Sequence, residues 1–346
     1  MVERGQVWRL GRHTLLCGDA TRKEDVEKLM NGEKATLGFF DPPYGMKKEN
    51  DGVLNDNLNY DDLLEFNKKW IPLSLDALTN IGSWYCWGQD EPLMDIYAFV
   101  LRPLKKTVPL TFRNLITWNK GTGQGQKSDL FRSYPVSTEK CIFIMKGRQV
   151  MSTNADNYWE GWEPIRAYLD GERQKMGWDI PTVKRIVGHS DLAGDHWFCK
   201  SQWSLPTRKV YEALQSAANG KAFKRDYDEL KRDYDENCRA YFNNTHDNMN
   251  DVWNYPTNPF GEIKTKFLKE KVHPTTKPQF ICKRAIKSSS RENDIVIDFF
   301  GGGGSTLIAC ERLNRTCYMM ELSPEWCNVI IDRWEKETGK KAELLM

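Results

Sequence analysis

The stretch "NDIVIDFFGGGGSTLIACERLNRTCYMMELSPEWCNVIIDRWEKE", residues 293–337, decides the fold. An apolar run ends in Asp298, four glycines follow from Gly301 to Gly304, and an amphipathic segment leads to a second apolar run ending in Glu321. The order reads as strand, glycine turn, helix, strand, acid, helix. Glycines at such a turn let a ligand approach the backbone and meet the N-terminal amides of the next helix. Glu321 ends the second strand, where an acid can take both hydroxyls of a ribose. The same letters also suit a tight crossover with no ligand.

Only two strands fit between Asp298 and the end, too few for a nucleotide-binding sheet, so the others must come from the N-terminal half. "HTLLCGDA" (13–20) and "ATLGFFDPP" (35–43) read as strands, separated by a helix over "RKEDVEKLMN". A helix over roughly 60–79 and the apolar stretches "GSWYCWG", "RNLITWNK" and "KCIFIMKG" continue the alternation. The expected fold is α/β: a Rossmann-like, mostly parallel sheet with helices on both faces and a helical insertion. The expected boundaries are 1–153 for the first part, 154–262 for the insert and 263–346 for the part that completes the sheet. Ligands of such sheets sit at the carboxyl ends of the strands, which here carry Asp19, Asp41, Asp298 and Glu321.

Bulk charge names no partner, since 50 Lys and Arg face 48 Asp and Glu in 346 residues. Local charge says more: Arg102 to Arg148 holds ten basic residues against Asp129 and Glu139, and Lys264 to Arg291 holds nine against Glu270. Two such stretches could form one positive face for nucleic acid, or a solvated lysine surface. The nine cysteines include no CxxC pair, which points to reduced thiols rather than a disulfide framework or zinc site. No apolar run approaches a membrane span, and "MVERGQVWRL" lacks a signal's apolar core. The expectation is a soluble, cytoplasmic protein of bacterial or phage origin.

"GFFDPPYGMKK" (38–48) sets an acid, two prolines and an aromatic directly after an apolar run, and "HPTTKP" (273–278) precedes the "DFFGGGGS" turn (298–305). Taken in this order, these motifs resemble the beta-class amino methyltransferases that use S-adenosylmethionine on DNA. The match covers about residues 5–150 and 264–335. It departs from the family's D-P-F-x-G-S-G at Phe299, in place of proline, and at Gly303, in place of serine.

The resemblance implies roles by position. Asp298 and the Gly301, Gly302 and Gly303 backbone would hold the methionine end of S-adenosylmethionine, Glu321 its ribose and Asp19 its adenine, and Phe300 and Ser305 would also bind the cofactor. Thr275 and Lys277 would lie near the cofactor's carboxylate. Asp41, Pro42, Pro43 and Tyr44 would be catalytic. An exocyclic amine is a poor nucleophile because its lone pair is delocalised into the base. Accepting its two hydrogens on the Asp41 carboxylate and the Pro42 carbonyl frees that pair for attack on a sulfonium methyl. Tyr44 would stack on a base flipped out of the duplex. Methylation at carbon would need a cysteine nucleophile, and the chain has no Pro-Cys pair. The Asp form of the motif leans to adenine N6 over cytosine N4.

Between Asn154 and Gly261, a helix marked by Ile165, Leu169 and Met176 breaks at Gly177, and a short helix around Val183 to Val187 ends at Gly188. A third helix is expected around Asp191 to Phe198, and Pro206 opens a fourth. Short helices joined by a glycine turn resemble the helix-turn-helix of small repressors, which would aim Ser190, Asp191, Asp195, His196, Lys200 and Gln202 at the major groove of double-stranded DNA. A helical insert that merely packs is the alternative. The R-D-Y-D repeat at Arg225 and Arg232 puts Tyr227, Leu230 and Tyr234 on one helix face, suited to a hairpin, a dimer seam or a solvated helix. No metal is expected, His189, His196 and Cys199 lacking a second well-spaced pair. A homodimer is admitted by the resemblance but not required. The rivals are a nicotinamide oxidoreductase and a non-catalytic DNA-binding regulator.

Overall fold

The computed structural model describes residues 1–45, 54–124, 134, 136–147, 163–188, 196–199, 203–237, 250–254 and 277–346. The chain divides into two compact units, Met1–Gly147 with Ala240–Met346, and Arg148–Arg239. The insert is thus tighter than the expected 154–262. Beyond it, Val252–Asn254 runs parallel to a strand of the first unit and so joins that unit's sheet.

In chain order the first unit starts with β1 (Val7–Leu10), β2 (His13–Cys17), α1 (Lys23–Met30), β3 (Ala35–Phe40), α2 (Tyr60–Asp76) and β4 (Leu78–Gly88). Next come α3 (Asp90–Asp95), a π-helical turn (Ile96–Leu101), α4 (Arg102–Leu104), β5 (Leu110–Gln124) and β6 (Val136–Lys146). The second unit holds α5 (Glu163–Lys175), α6 (Ile180–Val187), α7 (Arg208–Ala218) and α8 (Tyr227–Asn237). The first unit then resumes with β7 (Val252–Asn254), α9 (Gln279–Ser289), β8 (Ile295–Asp298), α10 (Ser305–Arg312), β9 (Thr316–Glu321), α11 (Pro324–Thr338) and β10 (Glu343–Leu344).

Among the described residues, ten strands form one sheet in the order β10-β1-β2-β9-β8-β3-β4-β6-β5-β7. Its centre, β2, β9, β8, β3 and β4, is parallel throughout. The strands borrowed from the two ends of the sequence therefore meet in one Rossmann-like sheet, as the shortage of C-terminal strands required. From β3 the chain crosses through α2 to β4 on one side, and from β8 it crosses through α10 to β9 on the other. The two crossovers diverge between β3 and β8, which opens a crevice at the carboxyl ends of that pair.

Alternation along the strands sorts the core into two layers. Leu15 and Cys17, Leu37 and Phe39, Tyr85 and Trp87, Cys141, Phe143 and Met145, Cys317 and Met319 face α9, α10 and α11. Leu16, Phe40, Trp84, Cys86, Ile142, Ile144, Ile297 and Met320 face α1, α2 and the π-helical turn. On the second face Phe40 packs against Trp70 and Phe299, with ring centroids 5.2 and 5.4 Å away. The indole N–H of Trp70 reaches Asn67 at 2.8 Å and that of Trp84 reaches Ser74 at 2.9 Å, so neither ring buries an unmet donor. Gly38 is required here: a Cβ would stand 2.4 Å from the Phe40 ring.

In the second unit the expected helix breaks fall where the chemistry places them. Asp179 caps α6 by accepting from Thr182 N–H at 2.9 Å, and Gly188 ends it at φ 72°. Thr207 caps α7 one residue after Pro206. The third helix differs from expectation at its end: residues 196–198 form a turn, because Trp197 and Phe198 are drawn into a core with Ile165, Leu169, Val183 and Leu214. The tyrosine face of α8 turns inward as well. Leu230 is buried in that core and Tyr227 and Tyr234 pack against it, so the heptad serves the unit itself.

Candidate active site

Strand parity explains why the acids gather. Asp41 continues the series Leu37 and Phe39, Glu321 follows Cys317 and Met319, Asp298 follows Val296, and Asp19 follows Leu15 and Cys17. All four continue the positions that face α9 to α11, at the carboxyl ends of adjacent parallel strands.

The Asp41 end of this row is an ion cluster. Lys277, just ahead of α9, donates from Nζ to Asp41 Oδ1 at 2.8 Å and to Tyr44 Oη at 2.9 Å, and it pairs with Glu139 Oε1. The Tyr44 hydroxyl lies on Asp41 Oδ1 in a short hydrogen bond and 3.1 Å from Glu139 Oε1. Lys120 closes the set, 2.5 Å from Glu139 Oε2. The Lys277 ammonium also sits 5.3 Å from the Tyr44 ring centre and 5.7 Å from that of Trp87. Asp56 holds the loop by accepting from the N–H groups of Tyr44 and Gly45 at 2.9 and 3.0 Å.

Burial and charge compete at each group. Burial, helped by Glu139, pushes the Asp41 carboxyl up although Lys277 opposes it. Burial works against the charge of Glu139 too, yet Lys277 and Lys120 together hold it down at about 2. Burial likewise disfavours the Lys277 ammonium, but Asp41 and Glu139 outweigh it and raise its pKa. Burial and the two carboxylates keep Tyr44 a neutral phenol.

The other end of the row is built from backbone. Glu321 accepts from Gly302 N–H at 2.7 Å and from Ser323 N–H at 2.8 Å, which ties the glycine turn to β9. Asp298 accepts from Phe300 N–H at 2.9 Å and from the Thr306 hydroxyl. Burial pushes Asp298 up to about 7 and also raises Glu321. At Gly301 a Cβ would stand 2.9 Å from Met319 Sδ, and Gly302 and Gly304 take φ values of 48° and 76°, so the turn admits little but glycine. Two buried carboxylates that, among the described residues, accept from backbone N–H groups and the Thr306 hydroxyl, beside a turn that bares its backbone, fit a ligand carrying an ammonium and vicinal hydroxyls.

The remaining expected residues fall as follows. Phe300 packs edge-on to Trp70 at 4.9 Å, and Ser305 is the buried first residue of α10, its carbonyl accepting from Gln279 Nε2 at 2.9 Å. The Gly303 carbonyl accepts from Arg333 Nη1. Asp19 is half-buried and accepts through Oδ1 from the Thr21 N–H and hydroxyl, at 2.9 and 2.7 Å. Lys277, expected near a cofactor's carboxylate, has its ammonium within reach of Asp41, Tyr44 and Glu139. His196 lies half-buried in its turn. Thr275, Ser190, Asp191, Asp195, Lys200 and Gln202 lie outside the described residues.

Glu139 and Lys120 were missed, although the sequence carries a signal for both. Glu139 stands in phase with Cys141, Phe143 and Met145, and Lys120 with Ile116 and Trp118: charges on the core-facing register of a strand.

A family model described as DNA methylase matches residues 36–332, and the chain belongs to that family. The Type II methyltransferase M1.MboII of Moraxella bovis is 22% identical over 307 residues, 86% of this chain and 88% of its own. The PvuII DNA methyltransferase (cytosine-N4-specific) superposes with a TM-score of 0.50 at 11% identity, over 93% of this chain and 86% of its own, a likeness of fold. M1.HpyAVI, solved as a SAM complex, aligns at a TM-score of 0.48 and 15% identity over 92% and 97% of the two chains.

Proposed function

We propose that the protein methylates an exocyclic amine of a base in double-stranded DNA, adenine N6 in preference to cytosine N4, with S-adenosylmethionine as donor. The observation that carries this reading is that Asp41 and the glycine turn flank one crevice, at the carboxyl ends of the neighbouring strands β3 and β8. Bound S-adenosylmethionine would supply an electrophilic methyl there. Asp298 and the Gly301 to Gly303 backbone would hold its ammonium and carboxylate, Glu321 its ribose hydroxyls, and Asp19 its adenine amine.

Asp41 and the Pro42 carbonyl accept the two hydrogens of the target amine, which turns its lone pair outward from the base. A carboxyl whose pKa is raised by burial is suited to take the proton that the amine sheds on methylation. Tyr44 supplies a ring for the flipped base, held from behind by Asp56 and Lys277. The helical unit, with its Asp179-capped α6 ending at Gly188, is the candidate reader of the DNA sequence. The preference for adenine rests on the aspartate in the motif.

The test is transfer of labelled methyl from S-adenosylmethionine to unmethylated duplex DNA, followed by digestion to nucleosides. Label in N6-methyldeoxyadenosine, absent with Asp41→Ala, is the expected result. Label in N4-methyldeoxycytidine would overturn the base assignment and keep the chemistry. Cofactor binding without any transfer would favour a DNA-binding regulator.

A further inference from the structure

Glu139 and Lys120 have no part in the reaction as written, yet they are built into its centre. Lys120, Glu139, Lys277 and Asp41 alternate in sign and sum to zero charge. The hydrogens in this cluster are few. Lys277 gives its three to Asp41, Tyr44 and Glu139, while the single hydrogen of Tyr44 has both Asp41 Oδ1 and Glu139 Oε1 within reach. Asp41 Oδ1 therefore already has two donors on it, and an amine that docks on this oxygen must compete with both. Among the described residues, Glu139 Oε1 is the one other carboxylate oxygen that those two donors touch.

We propose that Glu139 is a positioning residue for methyl transfer. When the target amine docks, Glu139 takes over the Lys277 and Tyr44 hydrogens that Asp41 gives up, and Lys120 anchors it from its other oxygen. No covalent bond changes at Glu139: two hydrogen bonds change acceptor and Asp41 keeps its charge until the amine releases a proton to it. The exchange needs little motion, because every partner is already in contact. It rests on the reading of Asp41 as the amine's acceptor.

Among the described residues the groups facing Asp41 are Tyr44 on its own loop, Lys277 ahead of α9, Glu139 and Cys141 on β6, Cys86 on β4, Cys282 on α9 and, at longer range, Asp298 on β8. Of these, Glu139 raises the Asp41 pKa and Lys277 lowers it. With Glu139→Gln only the lowering cation remains nearby, so the acid limb of the kcat profile moves to lower pH. With Lys120→Met a positive charge leaves while Glu139 competes harder for Lys277, so the limb moves to higher pH.

The experiment measures labelled methyl transfer against pH in wild type, Glu139→Gln, Glu139→Asp and Lys120→Met, with S-adenosylmethionine affinity measured by calorimetry. We expect Glu139→Gln to lose kcat on the order of a hundred-fold, the cost of a misplaced reacting group, with cofactor affinity unchanged. Glu139→Asp recovers part of that loss, and the two limb shifts have opposite sign. Limbs that stay put or move together overturn the inference, as does a kcat loss matched by loss of cofactor binding. Should Glu139→Gln not fold, the direction of the Lys120→Met shift decides alone. An inactive wild type overturns the reading of Asp41 and this inference with it; an active wild type with unmoved variants overturns this inference alone.

Discussion

Asp41 and Glu139 at one end of the crevice and Asp298 and Glu321 at the other are carboxylates withdrawn from water, Asp41 partly and the other three fully, and they are compensated on opposite terms. The first pair meets two lysine ammonium groups, and Glu139 is held at about 2. The second pair meets backbone N–H groups and the Thr306 hydroxyl, and Asp298 is pushed up to about 7. Taking a charge out of water costs several kcal/mol unless a counter-charge replaces the lost hydration. The Asp41 end is therefore electrically closed and the Asp298 end is open. A ligand cation lowers the energy of the open end, whereas a substrate at the closed end has to exchange hydrogen bonds with groups already satisfied.

The sharpest way to break this contrast is Lys277→Met, which strands two carboxylates in the closed end. Stability should fall by about 3–5 kcal/mol, the usual cost of removing one partner of a buried pair, read as the midpoint of urea denaturation. An unshifted midpoint would mean that the cluster is solvated. At the open end Glu321→Gln should act on binding instead. Losing charge-assisted hydrogen bonds worth about 1.5–3 kcal/mol should weaken S-adenosylmethionine by roughly tenfold or more in calorimetry, with a smaller change in the denaturation midpoint than Lys277→Met gives.

Asp298 gives the contrast a pH signature. Its folded pKa is raised, so between its ordinary 3.8 and about 7 the unfolded chain has released a proton that the folded chain keeps. The ligand-free protein should accordingly lose stability as pH rises through that window. Asp298→Asn removes the loss and should raise the ligand-free melting temperature at pH 8; equal melting temperatures would deny the burial cost. The smallest expected effect has the reverse sign and lies on the same face, at the other end of the strands. Burial lowers the pKa of His13, whose Nδ1 accepts from Cys317 N–H at 2.9 Å while Nε2 meets Glu311 at 2.9 Å, and Glu311 lies at about 2. Stability from His13 is complete above the ordinary 6.5 and is lost as pH falls below it, and that from Glu311 is lost from about 4.5 downward. Glu311→Gln should flatten the acid side of a melting profile, and an unchanged profile would remove this pair from the account.

Much of the fold was legible because its signals are local. The glycine turn, the strand-ending acids and the helix breaks at Gly177 and Gly188 depend on backbone conformations that few residues allow, so short strings of sequence specify them. The parallel sheet followed from counting strands. What stayed hidden was long-range: Glu139 lies on β6, antiparallel to β4, and Lys120 on β5, beyond β6, and nothing near them in sequence announces Asp41. The destination of Lys277 was likewise decided by charge neutralisation at a contact spanning 236 residues of chain. At the end of the Asp191 to Phe198 segment, burial of Trp197 and Phe198 outweighed helical propensity.

By itself, then, the sequence determined the class of fold, the row of acids and the order of the motifs, since alternation, turns and caps are set within a few residues. The tertiary structure alone decided which acids are neutralised and which stay open, because that depends on which cations the sheet order brings within hydrogen-bonding distance in a buried crevice.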